Sequence, residues 1–349
     1  MKVLIPDCRW VGGTQKFIAD AFARLGHEVR TCLIDNEKAV SPLTHYLKLR
    51  QIKRFQPYIT RRVEDAFNQK MLKLVDAFRP DLYFSLNCHS LYPETLRRIH
   101  DTYHVCTVSW VADNPFDSSR FTYFPCNLEY YDFLFIGERI WEQNIRNAAP
   151  RSQLYQMVGA YDPDVFKPVR IDPNERETYA CRLAFAGTAY GDKAEGKYRA
   201  AVLSQVADFG LKIWGDNGWT NTAVFYPVLK SAFQGDRLSF TELNKMYQTA
   251  TINLNIPNPQ CFTTFQQRVF EIAAAGGFQI ADYRQDIDDY FNDDELVTFK
   301  SIGDLREKID YFLKHPEERI PFIEKTREKM PVHTYENRVR DMLEKINGR

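Results

Sequence analysis

The strongest constraint on this chain is an alternation that runs through both of its halves. Short apolar runs of strand length are each followed by apolar residues at helical spacing. Lys2 to Pro6 reads as a strand, a loop with Gly12-Gly13 follows, and Phe17, Ala21 and Leu25 recur at helical spacing until Gly26. Glu28 to Ile34 reads as a second strand, giving the β-loop-α-β opening of doubly wound α/β domains. Residues 42–78 predict one or two surface helices. Asp81 to Leu86, Val105 to Val111 and Tyr131 to Ile136 read as buried strands, with a helix from about Glu138. Val158 to Pro168 is rich in Pro, Gly and Asp, charged residues follow to Tyr179, and the interdomain linker is expected here.

A second series then begins. Strands are expected over Arg182 to Ala186, Lys212 to Trp214, Thr251 to Ile256 and Phe278 to Ala281. Helical spacing covers Lys197 to Phe209, Thr241 to Gln248 and Thr264 to Ala275. Ser301 and Asp304 form a capping box for a helix carrying Leu305, Ile309 and Phe312 and ending at His315-Pro316. The expected fold class is α/β, two Rossmann-like doubly wound parallel-sheet domains facing a central cleft. The expected division is 1–165, 166–334, and a final helix in 335–349 packing back toward the first domain.

The length of 349 residues suits two domains. The 46 Lys plus Arg balance the 46 Asp plus Glu, which argues against a duplex nucleic-acid binder with its basic stripe. No apolar run is long enough to span a bilayer, and the apolar run at Met1 is too short for a signal peptide, so a cytoplasmic location is expected. The seven cysteines are scattered, without Cys-x-x-Cys pairs or zinc spacing, and read as buried thiols.

The stretch Thr264 to Phe278 carries the most chemistry. Thr264 and Gln267 fit a capping box, and on a helix starting there Thr264, Arg268, Glu271 and Ala275 share one face. A helix start attracts anions, Arg268 can add a planar cation for phosphate, and Glu271 can accept two hydroxyl hydrogen bonds, as from a ribose. The same residues also read as an Arg–Glu pair on the surface of an ordinary amphipathic helix.

Arg268-Val269-Phe270-Glu271-Ile272-Ala273-Ala274-Ala275-Gly276-Gly277 resembles the R-x-F-E-x-x-A-x-G-G signature of CgeB-like glycosyltransferases, the spore-maturation-protein family. The likeness extends to Phe185-Ala186-Gly187-Thr188, Ile213-Trp214-Gly215 with Trp219, Leu254-Asn255, Asp282-Tyr283, Tyr311 to Arg319 and His333-Thr334-Tyr335-x-x-Arg338. It covers about residues 180–345 strongly and 1–165 weakly. The resemblance implies a GT-B fold related to glycosyltransferase family 4, a nucleoside-diphosphate sugar as donor, a UDP-sugar foremost, and Glu271 on the donor ribose. It implies retention of configuration and no cofactor or bound metal. The sequence departs from family 4 at Thr263, where that family often carries a second glutamate near the sugar.

Within that frame Arg268, Arg199 and Asp113 are the expected catalytic residues. Thr264, Gly187, Thr188, Trp214, Gly215 and Lys193 join Glu271 on the donor side. Gly187-Thr188 ends a strand and can offer backbone N–H groups to phosphate. Asp113 and Asn114 follow a buried strand in Ser109-Trp110-Val111-Ala112-Asp113-Asn114-Pro115, which resembles a W-x-x-D-x-P motif of the family. With His89, Gly12 and Gly13 they are expected at the crevice end of the first sheet, on the acceptor side. Asp162-Pro163-x-x-x-Phe166-x-Pro168 resembles a family 4 hinge. The acceptor, whether glycan, protein or small molecule, and the oligomeric state are left open by the sequence. A sugar-nucleotide epimerase or hydrolase, and a non-catalytic nucleotide-sugar-binding module, are the rival readings.

Overall fold

The computed structural model describes residues 1–7, 13–33, 54–116, 123–190, 196–258 and 260–348. The chain divides into two compact units: Met1–Met157 with Arg338–Arg349, and Val158–Asn337. Each is built on a six-stranded sheet whose strand pairs all run parallel.

The first sheet contains β1 (Lys2–Asp7), β2 (Glu28–Leu33), β3 (Leu82–Leu86), β4 (Cys106–Val111), β5 (Phe133–Ile136) and β6 (Gln153–Gln156), ordered β2-β1-β3-β4-β5-β6. β3 is buried at every position, as befits a parallel strand covered on both faces. The helix Gln56–Phe78 turns Phe67, Met71, Val75 and Phe78 into the core beside Leu4, Tyr83 and Leu134. Of residues 42–78, where one or two surface helices were expected, 42–53 lie outside the described residues.

The second sheet contains β7 (Leu183–Ala186), β8 (Leu211–Trp214), β9 (Phe233–Gly235), β10 (Ile252–Asn255), β11 (Gln279–Asp282) and β12 (Val297–Phe299), ordered β12-β11-β10-β7-β8-β9. Its core gathers Leu183, Phe185, Ile213, Leu254, Phe278, Ile280 and Leu305. The helix Phe240–Thr249 opens on a true capping box. The Ser239 N–H donates to Glu242 Oε2 at 2.8 Å, and Ser239 Oγ accepts from the Glu242 N–H at 3.3 Å. At Ser301 the hydroxyl accepts from the Asp304 N–H, but the Asp304 carboxylate takes the Lys300 N–H rather than that of Ser301.

The segment after Val158 is not a loose linker. The Lys167 N–H donates to Asn244 Oδ1 at 3.2 Å, and the Val169 N–H donates to Gln248 Oε1 at 2.9 Å. Phe166 is buried against Phe240 and Tyr247, and Pro173–Tyr179 is helical. The Asp162 motif is thus the first layer of the second unit, strapped to the Phe240–Thr249 helix. The last helix, Tyr335–Asn347, begins in the second unit's range and has its residues from Arg338 onward in the first.

No described helix is long and apolar enough to cross a membrane. Of the cysteines described, Cys32 and Cys88 are buried as expected, Cys106, Cys181 and Cys261 are half-buried, and Cys126 is exposed.

Candidate nucleotide-sugar site

In an open parallel sheet, ligands gather beyond the C-terminal strand ends where the strand order reverses. In the second sheet the reversal lies between β7 and β10. Gly187-Thr188 follows β7, and Ile256-Pro257-Asn258 follows β10. Arg199, from the helix Gly196–Ser204, ties these two strand ends together. Its Nη1 donates to the Thr188 carbonyl at 2.6 Å and its Nη2 to the Ile256 carbonyl at 2.9 Å.

Arg199 is only 2% exposed. Its guanidinium lies over the Phe185 and Tyr190 rings, 5.2 and 5.4 Å from their centroids. Burial first, then repulsion from Arg268, lowers its pKa to about 10. The sequence places Arg199 among the expected catalytic residues, near the diphosphate of a donor. The structure turns its two terminal nitrogens onto the backbone carbonyls of Thr188 and Ile256.

Gly187 is where the second guanidinium arrives. A Cβ at this position would stand 3.2 Å from Arg268 Nη1 and 2.9 Å from the Phe185 ring. A side chain here would therefore push Arg268 off the turn. Gly215 needs its missing Cβ equally, because one there would collide with the Gly187 carbonyl and with Trp219. Trp219 Nε1 donates to that same Gly187 carbonyl at 2.8 Å. Trp214 is buried at the end of β8, tilted against Tyr179, and Trp219 is buried beside Phe185. Both tryptophans are buried, and Trp219 holds the Gly187 turn through that bond.

The helix expected from Thr264 begins instead at Arg268 and runs to Ala275, with Gln267 at the cap position and no side-chain cap. The supposed capping box does not form, and Thr264 is buried four residues before the helix. Three early N–H groups are already taken, those of Val269 by Gln266 O and of Phe270 and Glu271 by Gln267 O. The backbone of Gly159 also abuts Gln267. The free amide cluster expected at this helix start is therefore largely used by the chain itself.

Arg268 and Glu271 remain one turn apart, but they do not form a surface pair. Glu271 is 5% exposed and Arg268 is half-buried. Burial raises the Glu271 pKa to about 7, against the opposing pull of Arg268 and Tyr247. Burial also works against the charge of Arg268, but Tyr247 and Glu271 outweigh it and leave that pKa raised. Arg268 Nε is buried without a hydrogen-bond partner among the described residues. The Tyr247 hydroxyl stands near enough to perturb both groups, yet closes no hydrogen bond of normal geometry with either. A buried guanidinium nitrogen without a partner among the described residues, beside a buried carboxylate, is the kind of arrangement that suits a polar ligand. Lys193 lies outside the described residues.

Two further residues that the sequence did not single out meet at this turn. Asp216, after β8, accepts from the Ala189 and Gly218 N–H groups through Oδ1 at 3.3 and 3.1 Å. Arg237, after β9, donates to Thr188 Oγ1 at 2.8 Å and to Asp216 Oδ2 at 3.1 Å. Neither sits in a motif, and β9 itself was not recognised, so its C-terminal end drew no attention.

In the first sheet the order reverses between β1 and β3. Gly12 lies outside the described residues. Gly13 caps the helix Thr14–Arg24 with φ 91°, a value that favours glycine. His89 follows β3, and Asp113 and Asn114 follow β4, all half-buried. Asn114 Oδ1 accepts from the Phe116 N–H at 3.0 Å, a local turn. Asn87, at φ 47°, accepts the Ala112 N–H at 3.1 Å and so joins the loops after β3 and β4. An open hollow lined by Met1, Lys2, Gly26, Glu28, Arg79 and Asp81 lies at the opposite, starting ends of the strands and has no part in this arrangement. Among the described residues, no group of three or more His, Cys, Asp or Glu is gathered as a metal site.

Residues 198–344 match a family model described as glycosyl transferase-like. No curated protein matches the chain. Among solved structures it is similar to sucrose-phosphate synthase from Thermosynechococcus elongatus, at TM-score 0.70 and 11% identity, covering 100% of this chain and 99% of that one. Anabaena HepE in complex with UDP-glucose gives TM-score 0.64 and 10% identity, over 99% of this chain and 100% of that one. A putative UDP-N-acetylglucosamine 2-epimerase from Listeria monocytogenes gives TM-score 0.60 and 10% identity, over 98% and 95%. At such identities the likeness establishes the fold alone. Two parallel six-stranded sheets of these orders, a likeness of this extent to these solved structures and a glycosyl transferase-like region over residues 198–344 together make this a chain of the GT-B fold.

Proposed function

We propose that the chain is a glycosyltransferase of the CgeB-like kind, moving a glycosyl group from a nucleoside-diphosphate sugar, with UDP-sugars the first donors to test. The observation that carries this reading is the meeting of Arg268 with Gly187 at the switch point of the second sheet, with Glu271 one turn along the same helix. A guanidinium against a side-chain-free turn suits a diphosphate. A nearly buried carboxylate suits the paired hydroxyls of a ribose, which would reach it along its small accessible edge.

In the transfer, the bond between the anomeric carbon and the diphosphate oxygen breaks, and a bond from that carbon to an acceptor oxygen forms. Negative charge grows on the departing diphosphate. Arg268 would stabilise that charge from a site already arranged for it, with Arg199 and Trp219 fixing the turn on which the diphosphate rests. Asp113, Asn114, His89 and Gly13 are assigned to the acceptor side, and retention of configuration follows the family 4 kinship. The acceptor's proton passes to the departing diphosphate oxygen, and Asp113 is the residue proposed to orient that centre.

Isothermal titration with UDP tests the ribose role. A hydrogen bond to a charged acceptor is worth about 1.5–3 kcal/mol, so Glu271→Ala should weaken UDP about tenfold or more. An unchanged affinity removes Glu271 from the site. Incubation with UDP-sugars and candidate acceptors then separates the rivals. Release of a 2-epimer without acceptor would favour an epimerase, and release of free sugar a hydrolase.

A further inference from the structure

We infer that Arg237 is a further donor-binding residue, an exposed arm that leaves Asp216 to grip the diphosphate of the incoming nucleotide. The inference rests on the reading of the Gly187–Thr188 turn as the diphosphate seat. Three guanidinium groups converge on this two-residue turn. Arg199 holds the Thr188 carbonyl from within, Arg268 Nη1 abuts Gly187, and Arg237 Nη2 donates to the Thr188 hydroxyl.

Their roles differ by burial. Arg199 is enclosed and both of its terminal nitrogens are bonded to carbonyls. Arg268 is half-buried and fixed by its helix. The Arg237 side chain is 64% exposed and reaches the turn from the loop beyond β9. Of the three it alone can swing.

The charges around the turn are unbalanced. Three arginines face Asp216 and Glu271, and Glu271 is itself partly protonated near neutrality. Arg199 and Arg268 repel one another across the turn. An anion seated there relieves that repulsion. Asp216 is the resting partner of Arg237, 3.1 Å away. It has other work, because its second oxygen holds the Ala189 and Gly218 N–H groups. Letting Arg237 go leaves that carboxylate hydrogen-bonded. An exposed ion pair contributes little to stability, so exchanging Asp216 for a diphosphate costs little, while a fork of two charge-assisted bonds to phosphate contributes more. Lysine could follow the charge but not the fork.

The test uses the full chain and three probes: UDP, UMP and uridine, titrated calorimetrically against wild type, Arg237→Ala and Arg237→Lys. The expected result is a loss of about tenfold for UDP in Arg237→Ala, a smaller loss for UMP and none for uridine, with Arg237→Lys between. The melting temperature without ligand should be unchanged, because the side chain is exposed. Equal losses for UDP and uridine would place Arg237 on the base, and unchanged UDP affinity would remove it from the site, and either overturns the proposal. Glu271→Ala run in parallel keeps the two readings apart. If it loses UDP while Arg237→Ala does not, only the arginine proposal falls. If wild type binds none of the three probes, both fall.

Discussion

At the scale of single residues, Glu271 is the group whose environment makes the sharpest claim. Its carboxyl ionises near 4.5 when exposed and at about 7 in the folded chain, chiefly because burial disfavours the charge. The folded state therefore holds a proton that the unfolded state has lost between those values. Stability from this group is full below about 4.5 and is lost as pH rises through about 7, by about 3 kcal/mol for the whole shift. Arg268 on its own helix and Tyr247 from the facing helix both oppose the rise. The second unit should thus melt progressively lower between pH 5 and pH 8. Glu271→Gln should remove most of that slope and melt higher than wild type at pH 8. Ligand binding should run the opposite way, because a ribose is held by the ionised carboxylate. UDP affinity should rise from pH 6 to pH 8 in wild type and lose that component in Glu271→Gln, which also corrects for the titration of UDP itself. A wild-type chain whose stability is flat across this range would remove the buried, half-ionised carboxylate from the account.

At the scale of elements, the sequence was legible where a segment is central and apolar. β1, β3, β4, β5, β7 and β10 all fell within two residues of their observed ends, because parallel strands covered on both faces are written in continuous apolar residues. The strands it did not show, β6, β9 and β12, are all at sheet edges. Gln153-Leu154-Tyr155-Gln156 is half-buried throughout and Phe233-Gln234-Gly235 has only three residues, so neither leaves a periodic signal. The Thr264 error has a different cause. Thr264 and Gln267 have the spacing of a capping box, but the helix starts at Arg268, with Gln267 packed closely against Gly159 at its cap position. The pair Arg268 and Glu271 was legible because their spacing survives a shifted start. Arg237 was not, since its meeting with Thr188 joins residues 49 apart. The Gly276-Gly277 pair closing this helix gives a graded prediction. Gly276 has φ 84°, with Pro168 Cγ at 3.7 Å from where its Cβ would stand, so Gly276→Ala brings backbone strain of about 1 kcal/mol. A Cβ on Gly277 would run into the Tyr247 carbonyl, with Asn253 Nδ2 at 2.9 Å and Ile272 Cγ2 at 3.1 Å. Gly277→Ala must therefore push the Phe240–Thr249 helix, at a cost of about 1–3 kcal/mol. Denaturant unfolding should find Gly277→Ala the less stable of the two. Because Tyr247 stands beside Glu271, it should also be the one that alters UDP affinity. The reverse order would mean that these two helices are not packed as described.

At the scale of the whole molecule, each sheet carries its own reversal, β1/β3 in the first unit and β7/β10 in the second. The residues argued to hold the nucleotide, Gly187, Thr188, Arg237, Arg268 and Glu271, all belong to the second. A ligand stabilises the unit whose folded form it binds by RT ln(1 + [L]/Kd), about 2.7 kcal/mol at a hundred times Kd. Native-state hydrogen exchange can read that increment unit by unit. At this UDP excess, the slowest amides of β7 and β10 should slow about a hundredfold, the factor by which such a ligand suppresses global opening of its unit. Those of β3 and β4 should keep their rates, since the residues argued to hold UDP all belong to the second unit. The fast-exchanging turn at Gly187 to Tyr190 and the start of the Arg268 helix should gain protection of their own, marking contact rather than global stabilisation. Protection that appears first in β3 and β4 would assign the nucleotide to the other crevice, and with it Asp113 and His89 would become the donor residues.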